Sequence, residues 1–74
     1  MDEQMKELVA LGAAVASNCH ICIDQHLSRC DQFRLSPQDV SEAIEVGLAV
    51  REGAERAIQK HVHELLDDYP QKGD

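Results

Sequence analysis

Nine consecutive residues, Leu8-Val9-Ala10-Leu11-Gly12-Ala13-Ala14-Val15-Ala16, carry no polar side chain. Wound as a helix, such a run has no face for water, and a helix apolar all round is buried all round. A chain of 74 residues has too little other material to surround it. The run therefore points to a helix held between its own chain and a second copy, with Gly12, Ala13 and Ala14 permitting close approach. An ordinary core helix with alanines on its outer side is the alternative. One Phe, one Tyr and no Trp leave the core to Leu, Val, Ile and Ala. Three cysteines cannot build a disulfide framework, so oligomerisation is the expected supplement to so small a core.

The rest of the chain reads as helix, with no strand signal, no internal repeat and no low-complexity segment. Asp2 and Glu3 give the first helix an acidic opening turn. Ser17-Asn18 breaks the apolar run, and a second helix follows over about 19–33. Its inner stripe is Cys19, Cys22, Ile23, His26, Leu27, Cys30 and Phe33, with Asp24, Gln25, Arg29 and Asp31 mainly outside. Ser36-Pro37-Gln38-Asp39 is a helix start with Ser as N-cap and Pro at the first helical position. The third helix, about 37–51, buries Val40, Ala43, Ile44, Gly47, Leu48 and Val50. Gly53 is read as the residue that closes it. A fourth, about 54–67, carries Ala54, Ala57, Ile58, His61, Val62, Leu65 and Leu66 on one face. Tyr69-Pro70 ends it and residues 70–74 should fray. The expectation is an all-α bundle of about four helices forming one domain over 1–74 and assembled as a homo-oligomer.

Fourteen acidic residues against seven basic ones leave a formal charge of −7. That balance opposes binding to nucleic acid or to an acidic membrane surface. No basic segment followed by an apolar core opens the chain, and the apolar run is too short to span a bilayer. A soluble cytoplasmic protein is the simplest reading. In a reducing compartment a CxxC pair is redox-active or metal-binding more often than it is a structural staple.

The chemistry concentrates in Asn18-Cys19-His20-Ile21-Cys22-Ile23-Asp24-Gln25-His26. On a helix, Cys19, Cys22 and His26 share one stripe. With Asn18 as N-cap, Cys19 is the first helical residue, where free N–H groups and the helix dipole favour a thiolate. His26 lies four residues after Cys22 and can accept its proton. Either sulfur could be the attacking one. If the first two helices form an antiparallel hairpin about Ser17-Asn18, Glu7 and His26 sit within about 3 Å of the same level. A carboxylate there could orient the imidazole, or simply face water.

Other readings of the cysteines are weaker. Haem attachment needs His directly after the second Cys, and that residue is Ile23. Cys19 and Cys30 would be about 16 Å apart along one helix, too far to share a zinc ion. A metal site that uses fewer of these ligands plus another chain's, and a pair of small core residues with a buried histidine, stay open. Cys30 reads as core, His20 as solvated. His61 points inward and His63 away, a poor chelate.

Glu7, then eleven residues, then Cys19-x-x-Cys22-x-x-x-His26, resembles the signature of the carboxymuconolactone decarboxylase-like family. The likeness is closest to its alkylhydroperoxidase D branch. Leu11 to Ala16 before the motif and Leu35 to Ile44 after it are similar to the family pattern, over roughly residues 5–57. The resemblance implies an all-helical fold that assembles into trimers or hexamers. It implies a thiol-dependent peroxidase or disulfide oxidoreductase that acts on a small hydroperoxide or disulfide, takes electrons from an external dithiol and needs no cofactor or metal. It assigns Cys22 as the thiol that meets peroxide, Cys19 as its disulfide partner, and His26 with Glu7 as the proton relay. A non-enzymatic oligomeric binding module is the alternative. The chain departs from the family's peroxidase in having Ile21 before the second cysteine, with His20 one position earlier. It also has Arg34 where the family often has glycine.

Overall fold

The computed structural model describes residues 1–70, and folds them into three helices: α1 Glu3–Ala16, α2 His20–Gln32 and α3 Pro37–Asp67. No strand occurs among the described residues, whose regular structure is all-α. The expected frayed tail lies, from Gln71 onward, outside the described residues. No helix among the described residues is long and apolar enough to cross a membrane.

Side chains in the sequence set where each helix begins. The Met5 N–H donates to Asp2 Oδ1 at 2.7 Å, and the Asp39 N–H donates to Ser36 Oγ at 3.0 Å with Pro37 opening α3. Each bond satisfies one of the N–H groups that a helix start leaves without a partner.

The two turns share one geometry. After α1, Asn18 takes φ +57°. Its N–H donates to the Val15 carbonyl, and the Cys19 N–H reaches back to the Ala14 carbonyl, both at 3.1 Å. After α2, Arg34 takes φ +57°, its N–H donates to Asp31, and the Leu35 N–H donates to Cys30, both at 3.0 Å. These are paired closures around one left-handed residue. Asn tolerates that conformation; Arg lacks such an allowance and costs about 1 kcal/mol there.

α1 is the central element. It packs against α2 on one side and α3 on the other, while α2 and α3 make little contact. Leu11, Ala14 and Val15 of α1 and Cys30 of α2 form the buried apolar core. At the α1–α3 crossing two glycines meet. A Cβ on Gly47 would fall 2.5 Å from the Gly12 carbonyl oxygen and 2.8 Å from Val15 Cβ.

Two expectations are corrected. The third and fourth helices are one, running unbroken through Gly53. Gly53 keeps a negative φ and so does not act as a left-handed terminator. A single glycine costs a helix about 1 kcal/mol, which the strong helix formers around it offset. A third expectation, burial of α1 between its own chain and a second copy, concerns more than one chain; within one chain α1 is covered on only part of its surface. Val9 is 54% exposed, and a 410 Å³ groove lies open between α1 and α3. Leu48 and Val50, expected inside, are exposed, as is the whole stripe from Ala54 to Leu66.

Candidate functional site

The site begins at a single hinge residue. Because Asn18 is the left-handed residue that closes α1, it does not cap α2; Cys19 does. This corrects the expected cap by one position. Cys19 is thus held from both helices. Its backbone N–H belongs to the end of α1, and its Sγ accepts the Cys22 N–H at 3.3 Å at the start of α2. Cys19 and Cys22 are joined as a disulfide, with Cα atoms 5.2 Å apart. Both are half-buried. Once reduced, a sulfur in the cap position faces free helix N–H groups and the positive end of the dipole, which favour the thiolate.

The hairpin brings Glu7 of α1 against α2. Glu7 is 9% exposed, and its two carboxylate oxygens have separate partners. Oε2 lies 2.7 Å from His26 Nδ1, and Oε1 accepts from Arg29 Nη1 at 3.2 Å. The bond to His26 is the main cause holding the Glu7 carboxyl below the usual carboxylate range. The Arg29 bond and the charges of both partners add to it, and burial opposes it. An ionised carboxylate only accepts, so Nδ1 carries the proton of this bond. That leaves Nε2 of the neutral ring as the acceptor.

The structure thus pairs the four residues singled out in the sequence two by two: Cys19 with Cys22 at the turn of the α1–α2 hairpin, and Glu7 with His26 further along it. Arg29 was read as lying outside the stripe. Its spacing held a signal, since Cys22, His26 and Arg29 stand at i, i+4 and i+7 and align along one helix face. His20 is exposed, and Ile21, where the family's peroxidase has histidine, is 72% exposed. Cys30 is 1% exposed; burial, with the nearby charge of Glu7, pushes its thiol up. His61 and His63 lie exposed on the far half of α3, away from the hairpin. No cluster of potential metal ligands occurs among the described residues.

This arrangement can carry a reversible dithiol–disulfide change beside a proton acceptor. The model of the carboxymuconolactone decarboxylase family matches residues 1–63. The chain belongs to that family. Its Cys19–Cys22 pair is consistent with the CxxC-containing branch. No curated protein and no solved structure matches the chain.

Proposed function

We propose that this family member is a thiol-dependent peroxidase that cycles Cys19 and Cys22 between dithiol and disulfide and works as a homo-oligomer. One observation carries the reading. The two cysteines stand within disulfide reach at the head of α2, on the same stripe as a histidine whose Nδ1 is held 2.7 Å from a buried carboxylate.

His26 Nε2 takes the proton of the Cys22 thiol, and Glu7 stabilises the imidazolium that results. The Cys22 thiolate attacks one peroxide oxygen, and the O–O bond breaks. That oxygen stays on sulfur as a sulfenic acid, while the other leaves as alkoxide and takes the proton from His26 to become an alcohol. The Cys19 sulfur then attacks the Cys22 sulfur and releases water. An external dithiol returns both cysteines to thiols by exchange and is itself oxidised to a disulfide. The same exchange step would let the site reduce a disulfide substrate directly. A cycle fed by dithiols fits a reducing compartment such as the cytoplasm.

The test is the intact mass of the reduced protein after one equivalent of a hydroperoxide. The reading expects rapid loss of two hydrogens, absent in Cys22→Ser. If all three thiols stay reduced over hours, peroxide is not the oxidant.

A further inference from the structure

We propose that Arg29 is a positioning residue of this site, fixing the Glu7 carboxylate in the orientation that serves His26. The proposal deepens the peroxidase reading and rests on it for its catalytic consequence.

The geometry divides Glu7 between two donors. His26 Nδ1 holds Oε2 at 2.7 Å, and Arg29 Nη1 holds Oε1 at 3.2 Å. Among the described residues no other side chain bonds to Glu7. A carboxylate so poorly exposed needs both oxygens satisfied, and with one partner alone it is free to turn about its terminal torsion. Arg29 removes that freedom. It arrives from the same helix face as His26, so the carboxylate is gripped from one rigid element at two points.

The pair also fixes a charge state. Titratable and charged groups facing Glu7 come from α2: His26, Arg29 and Cys30. α3 supplies no ion pair or hydrogen bond to Glu7 among the described residues. Arg29 is the only basic residue in α2 besides its histidines. Its guanidinium stays charged at any working pH. It adds to the larger effect of the His26 bond in keeping Glu7 ionised, and an ionised Glu7 keeps the proton on Nδ1 and the lone pair on Nε2. If Glu7 takes up a proton, it no longer demands a donor at Nδ1. Without that demand nothing on α1 fixes the orientation of the ring.

Two variants test this in the full chain after reduction. Arg29→Gln removes the charge and keeps a donor; Arg29→Lys keeps the charge. The Glu7 carboxyl is titrated by carbon NMR, and the rate of Cys19–Cys22 disulfide formation with hydrogen peroxide is followed against pH. Arg29→Gln is expected to raise the Glu7 midpoint by about half a pH unit. The rate at neutral pH should fall about threefold, because a carboxylate gripped at one oxygen alone orients the imidazole less firmly. Arg29→Lys should return both toward wild type, which a merely structural role would not require. An unmoved Glu7 midpoint in Arg29→Gln overturns the proposal, as does a moved midpoint with an unchanged rate at neutral pH. If the wild type forms no disulfide with peroxide, the peroxidase reading fails, and the carboxyl titration still decides whether Arg29 sets the state of Glu7.

Discussion

At the scale of single residues, the site depends on how few atoms define it. Glu7 joins two helices through two bonds, and its carboxyl is held below the usual carboxylate range chiefly by His26. A depressed folded value fixes the sign of the pH effect. The stabilisation is present above the ordinary carboxylate pKa and is lost as pH falls through the folded value. Wild type should therefore resist denaturant better than Glu7→Gln at neutral pH, and the gap should close as the solution is acidified below the carboxylate range. The same substitution should slow disulfide formation with peroxide about 100-fold, the lower end of what a positioned acid–base group contributes. His26→Ala should slow it at least as much while leaving the helical circular dichroism unchanged. Cys30 offers a contrast. It is 1% exposed and its thiol is pushed up by burial. After reduction, a short iodoacetamide pulse at neutral pH should label Cys19 and Cys22 and leave Cys30 unmodified until the chain is denatured. Labelling of all three at similar rates would contradict the packing described for α2.

At the scale of the element, much was legible and the failures have physical causes. Ser36-Pro37 marked its helix start because a side-chain oxygen and a ring with fixed φ act locally. Glu7 and His26 could be paired from rise per residue alone, since the hairpin places them at nearly one level. Asn18 was legible as an interruption but not as a left-handed closure, because Asn serves both as an N-cap and in left-handed turns. Arg29 was misplaced because a charged side chain was assigned to the outer face by its type, although its spacing from Cys22 and His26 sets it on their face. Gly53 was misread because glycine can end a helix or sit within one, and only the backbone angle decides. A pair of substitutions separates the two glycine roles. Gly53→Ala should stabilise the protein by up to about 1 kcal/mol, since the residue is helical and the nearest atom to an added Cβ is Arg56 Nη2 at 4.0 Å. Gly47→Ala should destabilise by about 1–3 kcal/mol, because its Cβ meets Gly12 backbone that cannot give way. Thermal melts of both variants at one protein concentration check the signs. A drop for Gly53→Ala would restore the terminator reading.

At the scale of the whole molecule, one chain leaves much apolar surface uncovered. It measures 62 × 20 × 18 Å, with a radius of gyration of 18.0 Å, against about 11 Å for a compact domain of this length. Its exposed area is 5946 Å², against about 4500 Å² for a compact protein of its mass. The excess of roughly 1400 Å² is larger than the ~800 Å² that each partner contributes to a standard interface. It is also apolar where it counts. The groove between α1 and α3 shows Leu8, Val9, Ala13 and Val46, while the far half of α3 shows Ile58 at 58%, Leu65 at 57% and Leu66 at 56% exposed. These are two different surfaces on one chain, so covering one with the other joins copies head to tail. Contacts of that kind form a ring where the rotation between copies closes and a filament where it does not; the trimer or hexamer that the family resemblance implies requires the first. Sedimentation equilibrium should give a mass that is a multiple of 8.2 kDa, with a melting temperature that rises with protein concentration. Ile58→Glu combined with Leu65→Glu should dissociate the particle. Both positions lie far from the α1–α2 hairpin, so the dissociated form should keep its Cys19–Cys22 pair but melt at lower temperature. A wild type that sediments as a single 8.2 kDa species at micromolar concentration would mean that the apolar stripe of α3 stays in water. The chain would then lack the supplement that so small a core requires.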